Sequence, residues 1–139
     1  STGAITTAQL IKEKTGKIDF KALQADSGII QTAVDLAGSI EAEAAGLAGE
    51  NSIEQIRRSF QVLSENLYNL IRVVRYDGQV IYHDKCPMAF TKDGNDEIAY
   101  WLSDKREVAN PYLGNKHPKY KSGMLHCGEV EDSLSFGMK

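Results

Sequence analysis

Hydrophobic and polar positions alternate with a clear helical period over about residues 52–76. Ile53, Ile56, Phe60, Leu63, Leu67, Leu70, Ile71 and Val74 recur at three- and four-residue steps. That spacing lines one apolar stripe on a helix. Asn51 followed by Glu54 reads as a capping box at its start, and Asp77-Gly78 as its stop. A second helix is predicted over about 27–48, where Ile29, Ile30, Ala33, Leu36, Ala37, Ile40, Ala44 and Leu47 form a narrower, alanine-rich stripe. Small residues there let a partner helix approach closely, and the short Gly49-Glu50-Asn51 break makes the two helices antiparallel neighbours. Leu10, Ile11, Ile18, Phe20 and Leu23 point to further helical segments before Asp26, weakened by Gly16.

After Gly78 the pattern changes. Gln79-Val80-Ile81-Tyr82-His83 has the β-branched and aromatic content of a strand, and residues 97–102 are a second candidate with Asp93-Gly94 turning the chain between them. Beyond Ser103 the pattern is loop-like. The expected fold is mainly α: an antiparallel helical hairpin or small up-and-down bundle with a small irregular, partly β, C-terminal cap. It is expected to form one domain over 1–139, with a helical scaffold at 1–78 and the cap at 79–139.

Composition narrows the function. The 139 residues are 42% hydrophobic and 25% charged, with net charge −3. Those proportions suit one globular domain, and the acidic balance argues against a nucleic-acid partner. No run of about 20 apolar residues exists to span a bilayer. No signal or lipid anchor is visible in this chain, which begins Ser-Thr-Gly. Residues 1–82 hold no Cys, His, Met, Pro or Trp, so the chemistry is concentrated in the C-terminal part.

Two stretches stand out there. Cys86-Pro87-Met88 and Met124-Leu125-His126-Cys127 each join a thiol to a thioether. Thiolates and thioethers are soft donors that select Cu(I) and similar ions. In an extended segment Cys86 and Met88 point to one side, and a tight turn brings Met124 and Cys127 together. His83 and His126 are weaker candidate ligands. The alternatives are a Cys86–Cys127 disulfide and inert buried thiols. A disulfide would close a loop of about 42 residues and stabilise the fold by roughly 4 kcal/mol in the chain-entropy model. The two cysteines do not form a Cys-x-x-Cys pair, which disfavours a zinc ribbon or a thiol–disulfide redox protein.

Met88 and Met124 taken singly suit core filling. His117 suits a loop position, within the basic run Lys116-His117-Pro118-Lys119-Tyr120-Lys121. Trp101 beside Tyr100 suits an anchor packing the cap on the helices. No Walker loop, no His-Glu-x-x-His and no marked nucleophile–base pair is present, so no enzyme is expected.

The blocks Ser52-Ile53-Glu54-Gln55-Ile56-Arg57-Arg58-Ser59-Phe60 with Leu63-Ser64-Glu65, Cys86-Pro87-Met88-Ala89, Tyr100-Trp101-Leu102-Ser103, Asn110-Pro111-Tyr112, Gly114, and Met124-Leu125 with Cys127-Gly128-Glu129-Val130 resemble a bacterial envelope domain family of unknown function. The resemblance spans about residues 50–130, and residues 1–50 fit only loosely as a preceding helical region. That family occurs as stand-alone secreted proteins or lipoproteins, and at the C-terminus of adaptor subunits of Cus-type copper/silver efflux pumps. The resemblance implies a bacterial periplasmic or envelope-anchored location and a non-catalytic role in binding or buffering Cu(I) or Ag(I). It also implies an efflux-pump or other envelope protein as partner. Cys86, Met88, Met124 and Cys127 carry over as ligands, while Asn110, Pro111 and Tyr112 join Trp101 as structural anchors. His83 and His126 match no family motif, and the stretch between Gly114 and Met124 is longer than the family's. A structural envelope module with a Cys86–Cys127 disulfide and no metal role is the competing expectation.

Overall fold

The structure is a computed structural model describing residues 2–114, 117 and 119–137. It contains helices α1 (Thr2–Gly16), α2 (Ser27–Ala48) and α3 (Ile53–Val74), and strands β1 (Ile81–Lys92), β2 (Asn95–Ser103) and β3 (Glu129–Leu134). A 3-10 turn, Phe20–Ala22, joins α1 to α2. The chain divides into two compact units, Ser1–Arg75 and Tyr76–Lys139. The expected helical bundle with a small irregular cap is therefore corrected. Three helices are followed by a three-stranded antiparallel sheet of order β2-β1-β3, a substantial element in its own right.

In the helical unit, Asp26 caps α2 by accepting from Ile29 N at 2.9 Å. The α2 stripe Ala33, Ala37, Ile40, Ala44 and Leu47 is buried as its spacing predicts. Ala33, Ile40 and Ala44 meet Leu63 and Leu70 of α3 in one core cluster. Ala8 of α1, Leu47 of α2 and Ile56 of α3 form another. The end of α2 thus meets the start of α3, the antiparallel arrangement expected from the short break. Alanines with no exposed surface on α2 let the backbones close while the larger leucines and isoleucine fill the seam.

The ends of α3 differ from expectation by small steps. Ser52 is the N-cap, its hydroxyl accepting from Gln55 N, so the Ser-x-x-Gln frame is used in place of Asn51 and Glu54. Glu54 instead pairs with Arg58 one turn on. At the other end Arg75, not glycine, takes the left-handed position at φ 55° and returns its N–H to Ile71 O. No helix is long and apolar enough to cross a membrane, among the described residues.

In the sheet unit, Asp93 (φ 53°) and Gly94 (φ 80°) make the two-residue hairpin expected between β1 and β2. Both central positions lie at positive φ, as a type I′ turn requires. β1 is longer than the pattern suggested because it runs through Pro87. Proline lacks a ladder donor and survives within a strand only at an edge or bulge. Here it sits where the β1–β2 register slips between Cys86 and Phe90, beyond the last β3 pair at Lys85–Glu129. The pattern beyond Ser103 reads as loop, yet Glu129–Leu134 is a strand. Its sequence Glu-Val-Glu-Asp-Ser-Leu has only two apolar residues, and pairing with β1 sets its conformation. Lys85 contributes by bridging Glu129 (3.4 Å) and Glu131 (2.7 Å).

Leu63 is buried and its neighbour Val62 is 45% exposed. Leu63→Ala is expected to lose about 2–5 kcal/mol in urea unfolding followed by far-UV circular dichroism. Val62→Ala is expected to change stability by no more than about 0.5 kcal/mol.

Candidate thiol site

The site begins with strand alternation. Asp84 pairs with Trp101 and Cys86 with Ala99 across β1 and β2, so these four share one sheet face. Ala99 has no exposed surface, and its small side chain leaves room opposite Cys86, which is also fully buried. Into that space comes Cys127, from the turn that precedes β3. The two sulfurs lie 3.4 Å apart with both cysteines unbonded, so one thiol hydrogen can point at the other sulfur.

Asn110 holds that turn in place. Its side-chain Nδ2 donates to Cys127 O at 2.8 Å, while Oδ1 accepts from Tyr112 N at 2.9 Å and Leu113 N at 3.0 Å. Its own N–H donates to Leu125 O at 2.5 Å. Tyr112, fully buried, donates its hydroxyl hydrogen to Tyr100 O. The Tyr112 ring meets Trp101 edge-on at 5.9 Å and Phe90 at 5.2 Å. Gly128 completes the approach at φ 137°, where a Cβ would stand 2.5 Å from Lys85 O and 3.0 Å from the Trp101 ring. Only glycine lets the residue after Cys127 pass so close to β1.

The blocks around Cys86, Trp101, Asn110–Tyr112 and Cys127–Gly128 therefore meet within the sheet unit, while the Ser52–Glu65 block lies on α3. Trp101, Asn110 and Tyr112 are buried, whereas Pro111 is exposed. Trp101 packs edge-on against Tyr112 within the sheet unit. Met124 lies in the turn before Cys127, its carbonyl accepting from Cys127 N at 3.1 Å. Met88 sits in the β1 irregularity, where the alternation needed to align it with Cys86 is interrupted.

His83 is on the opposite face from Cys86 by strand parity, buried and stacked on Tyr100 at 4.8 Å. His126 is exposed and hydrogen-bonds through Nδ1 to Val108 O. His117 closes a local turn, Nδ1 accepting from Lys119 N and Tyr120 N. Lys116 and Pro118 of the basic run, and Met138, lie outside the described residues. No cluster of three or more His, Cys, Asp or Glu able to hold a metal exists among the described residues.

Burial sets the electrostatics. It pushes the Cys127 thiol up to about 11, with the contact to Cys86 adding to the effect. A thiol so shifted stays protonated at neutral pH and is a poor nucleophile.

Asp84 was not singled out by its sequence context, yet it is fully buried and neither carboxylate oxygen has a partner among the described residues. Burial raises its carboxyl above the ordinary range, and the neighbouring His83 charge partly offsets this. An acidic residue inside the β1 stretch was the available signal, but its burial depends on what covers that face.

The folded state thus keeps the Asp84 proton to higher pH than the unfolded chain, and stability falls as pH rises above 3.8 toward the raised value. Urea titrations between about pH 4 and 7 are expected to show that decline, flattened in Asp84→Asn. Asn110→Ala leaves the Tyr112 and Leu113 N–H groups without their acceptor. Its expected loss is about 2–4 kcal/mol by the same measurement.

A family model described as "Protein of unknown function (DUF3347)" matches residues 1–77. The match covers all three helices and ends before the first cysteine, so it falls on the helical unit and leaves the thiol site unaddressed. No curated protein and no solved structure matches the chain. With more than half of its residues matched, the chain belongs to this family of unknown function, DUF3347.

Proposed function

We propose that the chain is a non-catalytic periplasmic domain that binds or buffers Cu(I) or Ag(I) through Cys86 and Cys127. The observation that carries this reading is the 3.4 Å separation of two unbonded sulfurs delivered by β1 and by the turn before β3. Two thiolates at that spacing need only a small outward adjustment to hold a soft cation between them. Soft ions favour this donor set over the oxygen donors that suit Mg or Ca.

A thiol held near 11 is poorly suited to nucleophilic catalysis, but a soft ion displaces its proton directly. Met88 and Met124, both half-buried and each close in sequence to one cysteine, are the thioethers available to complete the shell. The periplasmic location, and an efflux-pump or other envelope partner, rest on the likeness of the Cys86-Pro87-Met88-Ala89 and Met124-Leu125…Cys127-Gly128 blocks to an efflux-associated family.

A second reading draws on the same contact. Sulfurs this close form a disulfide once oxidised and drawn in to about 2.05 Å, which suits an oxidising compartment. The Cys86–Cys127 bond would then staple the turn to the sheet in a structural envelope module. Only the reduced pair takes the ion, so the redox state separates the two readings.

Free thiols counted on denatured protein, before and after reduction, give that state. Anaerobic Cu(I) titration of the reduced chain against a competing chelator is expected to show tight 1:1 binding that Cys86→Ser with Cys127→Ser abolishes. Unchanged affinity in the double variant refutes the metal reading. Because binding releases the Cys127 proton, apparent affinity is expected to rise about tenfold per pH unit for that proton and to level off above about 11.

A further inference from the structure

His126 immediately precedes Cys127 but faces a different environment. Its side chain is 62% exposed, Cys127 is half-buried, and Cys86 is fully buried. The His126 Nδ1 lies 2.6 Å from Val108 O. A carbonyl oxygen only accepts, so the neutral ring carries its hydrogen on Nδ1 and keeps the Nε2 lone pair. Among the described residues nothing is bonded to Nε2. Metal-ligating histidines have this arrangement, one nitrogen tied to a backbone carbonyl and the other offered to the ion. Glu107, 74% exposed, places a carboxylate oxygen 3.9 Å from the same Nδ1 and adds negative charge beside the ring.

We infer that His126 Nε2 is an entry ligand that takes a soft monovalent cation from solvent and passes it to Cys127 and then Cys86. The inference rests on the thiol pair being a soft-ion site. His126 is a station on the way in and not a third member of that site, since no three His, Cys, Asp or Glu gather there among the described residues. The order follows the gradient of exposure from His126 inward. Imidazole is an intermediate donor, and thiolates hold such ions more strongly, so transfer runs toward the cysteines. The step exchanges ligands without electron transfer: the ion leaves Nε2 for sulfur and the displaced thiol protons go to water.

Ag(I), which undergoes no redox step here, is the probe. In the Cys86→Ser/Cys127→Ser variant, long-range proton–nitrogen NMR is expected to show substoichiometric Ag(I) shifting the His126 Nε2 resonance. The rings of His83 and His117 stay unmoved. In the reduced, thiol-intact chain, His126→Gln is expected to slow the rise of Ag(I)–thiolate absorbance in stopped flow severalfold. Equilibrium affinity stays within about twofold.

Either a silent Nε2 or an unchanged loading rate overturns the entry role and leaves the thiol site standing. A reduced chain that develops no thiolate absorbance with Ag(I) defeats the thiol reading itself, and the entry role falls with it. Should the double variant fail to fold, the loading rate of His126→Gln alone decides.

Discussion

The arrangement of the sheet unit depends on one buried side chain, the amide of Asn110. A carboxamide offers donors at one end and an acceptor at the other, and Asn110 uses both. It ties the Cys127 carbonyl to the start of the 110–114 turn and satisfies two N–H groups that would otherwise be buried without partners. Leaving such groups unsatisfied costs more than the bonds contribute on average, so the network is close to obligatory once the region is covered. With Tyr112 fixed to Tyr100 O and its ring against Trp101, the loop has few alternatives to delivering Cys127 onto the face that carries Cys86.

That delivery has an electrostatic consequence. Two thiols and a carboxyl, those of Cys86, Cys127 and Asp84, belong to a largely dry part of the sheet. For Asp84 and Cys127 burial disfavours the charged form, so the face is poised to remain neutral until something compensates negative charge there. A soft cation and an oxidant are two agents that act on such a thiol pair, the first by replacing protons and the second by removing hydrogen. The geometry makes the same 3.4 Å contact the starting point for either.

The family match and the chemistry fall on different parts of the chain. DUF3347 describes the helical unit, whose buried faces are occupied by packing residues and whose sequence carries no thiol, imidazole or thioether. The sulfur pair lies wholly in the sheet unit. Membership in the family therefore speaks to the helical unit, and the thiol pair lies outside the matched residues.

The sequence alone determined the elements whose stabilising pattern is local. The α2 and α3 helices, the Asp93-Gly94 hairpin, most of β2 and only the first residues of β1 follow from periodicity and turn chemistry confined to a few neighbouring residues. It also located the two cysteines as the residues to watch. Tertiary structure decided the rest. β3 is a strand because β1 offers it a pairing edge and Lys85 holds Glu129 and Glu131, none of which leaves an alternating pattern in Glu-Val-Glu-Asp-Ser-Leu.

The α3 stop fell on Arg75 because a left-handed residue is tolerated where its N–H finds the Ile71 carbonyl, which composition does not reveal. His83 was separated from Cys86 by strand parity, and Cys127 was joined to it across 41 positions of chain. Contacts of that range leave no periodic trace. They arise from the shape of a folded loop, here one clamped by Asn110 and admitted by the missing side chain of Gly128.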